Sequence, residues 1–123
     1  MSQAWRKYTQ TQIATGSPIK ITIMVYEKCI LNIRTAQEKL NEGDYQTVSE
    51  RLINTEMLLN ELIFQLDRNV YPELSEELIM LYEWSIAEER TMNIKKDARL
   101  GDPVIQVIQN LLDGYTEAMN QNG

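Results

Sequence analysis

Few side chains in this chain are capable of chemistry, and their spacing argues against catalysis. Histidine is absent, which removes the commonest general base, the commonest metal ligand and the usual partner of a nucleophilic serine or cysteine. The one cysteine, Cys29, closes the apolar run TGSPIKITIMVYEKC at residues 15–29. It has no histidine to activate it and no second cysteine to pair with, so it reads as a buried, inert thiol. Glu76-Glu77 and Glu88-Glu89 are adjacent pairs, which point to different sides of a helix and cannot share a site. A di-iron centre in a four-helix bundle needs Glu-x-x-His pairs. The five glycines are isolated, so no phosphate-cradling loop exists. No enzymatic activity, metal or cofactor is expected.

The elements that would position these residues are helices. Glycine and proline are confined to sparse punctuation: Gly16-Ser17-Pro18, Gly43-Asp44, Tyr71-Pro72 and Gly101-Asp102-Pro103. Between these marks lie four periodic segments. The first starts with Ser17 as N-cap and Pro18 at the first helical position and runs to about residue 41. Its seam is Ile23, Tyr26, Ile30, Ile33, Gln37 and Leu40. The second spans roughly 45–68 with Tyr45, Val48, Leu52, Thr55, Leu59, Leu62 and Leu66 as its seam, and Gly43 and Asp44 make the turn before it. The third, about 73–95, carries Leu74, Leu78, Leu81, Tyr82 and Ile86, with Ser85, Glu88 and Glu89 on a polar side. The fourth follows Asp102 as N-cap and Pro103, and is lined by Val104, Ile105, Val107, Ile108, Leu111, Leu112 and Tyr115. The expected fold is all-α: an antiparallel four-helix bundle over residues 17–119, with a mobile N-terminal arm at 1–16 and a frayed tail at 120–123.

A chain of 123 residues accommodates one core without metal or disulfide. The N-terminal residues lack the apolar core of a signal peptide, and no stretch is apolar for as long as a membrane span, which points to the cytoplasm and to no membrane insertion. A net charge of -6 argues against nucleic acid, which requires clustered Lys and Arg. The charge is uneven: residues 73–90 hold six Glu and one Arg, whereas residues 1–20 hold Arg6, Lys7 and Lys20 and no acid. The acidic run is a solvated helix face or a docking surface for a basic or polar partner.

Apolar residues exceed what one core uses. Ile21, Met24, Val25 and Leu31 give the first helix a second apolar side, and Ile53, Met57, Ile63 and Phe64 do the same for the second. With no fifth helix to cover them, they suggest an exposed groove that accepts another helix or an extended segment. Methionine suits such a groove because it repacks around a partner.

Short motifs spread from Tyr8 to Tyr115 resemble those of the FliS family, the flagellar secretion chaperones. Tyr8, Thr15-Gly16-Ser17-Pro18, Ile21 and Met24-Val25-Tyr26-Glu27 are similar to the family's Tyr, Thr-Ala-Ser-Pro, Leu and Met-Leu-Tyr-Asp at the same spacings. Glu61-Leu62 with Leu66-Asp67, then Leu81-Tyr82-Glu83-Trp84, then Asn93 and Asp97 continue the resemblance. Lys28, Met92 and Tyr115 depart from it, standing where the family commonly has a small residue, Ala and Trp. The resemblance implies a non-enzymatic bundle that binds the disordered C-terminal segment of flagellin in hydrophobic grooves and blocks premature polymerisation before type III secretion. It further implies that the arm covers a groove until the client arrives, with Tyr8 and Ile13 as the cover. The client-binding residues expected are then Tyr8, Ile13, Ile21, Met24, Val25, Tyr26, Ile53 and Met57. The flagellar export apparatus or a second regulatory protein would be further partners, and the free protein would be a monomer or weak dimer. Two other readings fit a bundle with surplus apolar faces: an adaptor that binds an anti-sigma or RNA-regulatory protein, and a homo-oligomeric structural bundle.

Overall fold

The computed structural model of the chain describes residues 19–122. The arm at 1–16 and the Ser17-Pro18 start signal lie outside them. Four helices follow in order: α1 (Ile19–Glu42), α2 (Tyr45–Gln65), α3 (Pro72–Lys95) and α4 (Asp102–Asn122), with a 3-10 turn at Ala98–Gly101 before α4. Among the described residues there is no strand. The apolar run from Ile19 to Tyr26 is helical, as its continuation into a 3.6-residue pattern requires.

Each boundary has a local cause. Gly43 takes the left-handed conformation (φ 78°) that closes α1, and the Asp44 N–H bonds back to the Lys39 carbonyl at 3.0 Å. The Asp44 carboxylate then caps α2, accepting from the Thr47 N–H at 3.2 Å and the Thr47 hydroxyl at 2.7 Å. This two-residue link forces α1 and α2 to run antiparallel. α2 ends at Gln65, short of the expected 68, because Leu66 is extended and the Asp67 carboxylate turns the chain by accepting from the Asn69 N–H. Pro72 opens α3 at a position where its missing N–H is harmless. Lys96, in the left-handed region at φ 54°, ends it.

Asp102 does not cap α4. The 3-10 turn feeds directly into the helix, so Asp102 already has helical dihedrals. Its carboxylate instead accepts from Gln37 Nε2 of α1 at 2.7 Å, while the same nitrogen donates to the Ala98 carbonyl at 2.8 Å. Gln37, a seam position by periodicity, thus serves as a polar clamp between α1 and the α3–α4 connection. The last helix continues through Asn122, past the expected boundary at 119.

The core is built where the seams predict, from Ile23, Tyr26, Ile33, Val48, Leu52, Leu59, Leu78, Tyr82, Val104 and Ile108 among others. Two expectations fail. Tyr45 is half exposed at the start of α2, where its ring lies under the Lys96 ammonium at 4.9 Å. Ser85 and Glu89 are buried, not solvated, because the core stripe of α3 continues through Tyr82, Ser85, Glu89 and Met92 in steps of three and four. The Ser85 hydroxyl is satisfied by the Leu81 carbonyl at 2.8 Å.

Space favours glycine at 101. A Cβ there would stand 2.9 Å from both Gln37 Nε2 and Met92 Sδ and 3.1 Å from Ile33 Cγ2, so a side chain would push these groups aside and disturb the Gln37 hydrogen bonds. Gly101→Ala should therefore destabilise the fold by about 1–3 kcal/mol, measured as a lower urea midpoint; an unchanged midpoint would mean the close approach contributes nothing.

Candidate functional site

Three tyrosines from three helices meet at the centre of the bundle. Tyr26 of α1 shares a 2.6 Å hydrogen bond between hydroxyls with Tyr82 of α3 and stacks on Tyr115 of α4 with centroids 6.0 Å apart. α1 thus packs along α4 and reaches α3 through the tyrosine hydroxyls, whereas α3 and α4 approach each other only sparsely. The seam between those two helices is open.

That seam is an apolar cleft. Leu74, Leu78 and Leu81 line one wall from α3, and Leu111, Gly114 and Tyr115 the other from α4, with Glu77 and Asn110 also at the lining. The cleft between the walls has a volume of about 90 Å³. Gly114 sits within a helix, where glycine costs about 1 kcal/mol relative to alanine, and a Cβ there would meet nothing within 4 Å. Space does not favour glycine here, in contrast to Gly101. A larger residue would narrow the cleft.

The second apolar surface is the outer side of the α1–α2 pair. Ile21, Met24 and Leu31 are all more than half exposed on α1, as are Ile53, Met57 and Phe64 on α2. A 2.8 Å hydrogen bond from Asn32 Nδ2 to Asn54 Oδ1 sets the antiparallel register. By that register Phe64 stands roughly level with Ile21 and Met24, and Met57 and Ile53 lie further toward the hairpin. Phe64, 84% exposed, is another solvent-facing apolar side chain of α2. Its position outside the seam of α2 is the sequence signal for this.

The expected residues fall into three groups. Tyr8 and Ile13 lie outside the described residues. Ile21, Met24, Ile53 and Met57 are solvent-facing, and Val25 is half-buried against the core. Tyr26 is fully buried, so it is a core residue and not a surface contact; its seam position and the hydroxyl bond to Tyr82 hold it inside. Periodicity does not reveal the α3–α4 cleft, because it places each leucine on a buried stripe without showing that the two helices stay apart.

The buried polar groups offer no reactive species at neutral pH. Burial, reinforced by nearby Glu89, pushes the Cys29 thiol up to about 12, leaving it inert as expected. Burial, with the neighbouring tyrosines adding to it, raises Tyr26, and burial also raises Tyr82. The Glu89 carboxyl, 1% exposed and with neither oxygen hydrogen-bonded, is pushed up to about 9 by burial and then by Glu56, against an opposing pull from Arg90. It is protonated at neutral pH. Among the described residues no cluster of acidic residues and Cys could hold a metal ion, and no helix is long and apolar enough to cross a membrane.

A helical bundle with an open apolar seam, exposed apolar stripes and a chemically silent core has the surface of a protein-binding module. The flagellar protein FliS family profile matches residues 1–122, and the chain belongs to that family. It is 29% identical over 112 residues to the flagellar secretion chaperone FliS of Bacillus subtilis strain 168, a match covering 91% of this chain and 83% of that one. It also superposes on a crystal structure of a flagellar chaperone from bacteria with a TM-score of 0.79 and 37% identity, over 97% of each chain. The four-helix bundle is therefore that of a flagellar chaperone.

Glu89 makes a pH dependence testable. In the folded state it keeps its proton up to about pH 9, while in the unfolded chain it ionises in the ordinary carboxylate range. Its contribution to stability is whole below that range and is lost as pH rises toward 9. Glu89→Gln, which mimics the protonated acid, should flatten the decline in urea midpoint between about pH 5 and pH 8, a slope worth up to about 1.4 kcal/mol per pH unit. Identical slopes in the two proteins would refute a buried neutral Glu89.

Proposed function

We propose that the chain is a cytoplasmic, flagellin-specific export chaperone that binds the disordered C-terminal segment of flagellin and keeps it from polymerising before type III secretion. The observation that carries this is the open α3–α4 seam, on a bundle that also leaves Ile21, Met24, Ile53, Met57 and Phe64 in solvent. One apolar patch suits one helix. Two apolar tracks on different sides of one small bundle suit a client that wraps around it.

The physics of such a client supports the reading. A disordered segment that orders on binding spends several kcal/mol of the interaction on its own ordering and typically buries about 1,000–3,000 Å². It needs a long apolar track, and methionines at positions 24 and 57 let that track adapt to the side chains it receives. Occupying a segment that otherwise makes subunit contacts would hold flagellin unpolymerised. Tyr8 and Ile13 would cover part of the track in the free protein.

Gly114 provides a test that separates binding from folding. Gly114→Leu removes a helix-weakening glycine, so stability should be equal or higher, while the leucine occupies the cleft. Titration calorimetry with a flagellin C-terminal peptide should give a one-to-one complex with the wild-type chain and an affinity lower by about tenfold or more, roughly 1.4 kcal/mol, for the variant. Removing residues 1–16 should also change the affinity. A stable dimer indifferent to the peptide would sink the proposal.

A further inference from the structure

The helix α3 is apolar on two opposite faces. One face enters the core through Leu74, Leu78, Tyr82 and Met92. The other carries Met80, Trp84, Ala87, Thr91 and Ile94, a stripe in steps of three and four residues that is about 21 Å long. Met80 is 65%, Trp84 38% and Ile94 81% exposed. No element of the described chain covers this stripe, and the client cleft lies beside it on the α4 side, marked by Glu77 and Leu81.

Acidic residues border the stripe on both sides. At 100° per residue, Glu76 and Glu83 fall along one edge and Glu77 and Glu88 along the other, with Glu73 at the start. None of the five forms an ion pair among the described residues. The nearby base Arg90 is committed to Glu56 on α2, and Lys95 stands only at the far end of the stripe.

We propose that this face is a second docking surface, distinct from the flagellin track, and that its occupant is a basic amphipathic helix of another protein. The charge pattern chooses the occupant. A second copy of the chain docking here would set acid against acid through the middle of the stripe, and an anionic membrane or nucleic acid would meet the same repulsion. A helix with Lys or Arg flanking an apolar stripe satisfies both the apolar residues and their acidic borders. Trp84 supplies the rigid anchor and Met80 the adaptable contact, while the acids steer association and fix orientation.

The test uses the full chain with Trp5→Phe, which leaves Trp84 as the only tryptophan. An amphipathic Leu-Lys peptide of about 18 residues, roughly five helical turns, should shift Trp84 emission to the blue, and its Leu-Glu counterpart should not. By calorimetry, replacing Glu76, Glu83 and Glu88 together by Gln, which leaves the cleft residue Glu77 in place, should weaken Leu-Lys binding about tenfold. Met80→Ser with Trp84→Ser should do at least as much. Ile53→Ser with Met57→Ser, on α2, should leave it unchanged, and the α3 variants should bind the flagellin peptide as the wild type does. Binding of both peptides alike, or loss only in the α2 variant, would overturn the proposal. So would a dimer that the Met80 and Trp84 changes dissociate, which assigns the face to a second copy. Loss of flagellin-peptide affinity in the α3 variants would instead make the face part of the client track, and would equally overturn a separate partner.

Discussion

Everything on the surface of this bundle depends on how Tyr26 is held. Its hydroxyl bonds to Tyr82 of α3 at 2.6 Å and its ring stacks on Tyr115 of α4. One residue of α1 therefore links two helices that otherwise scarcely meet. A buried hydroxyl pair is expensive to break, because either partner left alone is desolvated without compensation. The pair consequently fixes the depth at which α3 sits, and the stacked ring fixes α4. What remains between them is a cleft with leucine walls instead of a closed fourth seam.

The opposite end of the molecule is closed with equal care. Gln37 spans from α1 to the Ala98 carbonyl and the Asp102 carboxylate, and Gly101 lets the connection press against Ile33 and Met92. The α3–α4 connection is thus anchored to α1 at its base while the cleft further along α4 stays open. Polar groups do the anchoring, and each is satisfied. Glu89 is the exception: its carboxyl has no hydrogen-bond partner among the described residues, so burial keeps it neutral. The core is a scaffold in which titratable groups are held in their uncharged forms, leaving recognition to the outside.

Much of this was legible in the sequence. Gly43-Asp44 and Tyr71-Pro72 mark helix ends because left-handed closure, capping and the missing proline N–H act locally. Ile21, Met24, Ile53 and Met57 fall off the seams and are in fact exposed. Tyr26 sits in the same run yet is buried, because an apolar run on more than one face contains both core and surface residues. Asp102 looked like a second copy of a cap-proline device, yet the preceding 3-10 turn gives it helical dihedrals. The polar side expected of α3 was read from residue type, but the helical step places Ser85 and Glu89 inward.

The sequence by itself determined the four helices, their antiparallel order and the surplus of apolar side chains, since these follow from periodicity, caps and link lengths of a few residues. Only the tertiary structure decided which surplus residues line a cleft and which face solvent. That choice rests on distances between helices far apart in the chain, set by the tyrosine cluster and the glycine contact at 101. Hydrophobic periodicity reports that a residue has an apolar neighbour to seek; packing alone determines whether the chain supplies that neighbour.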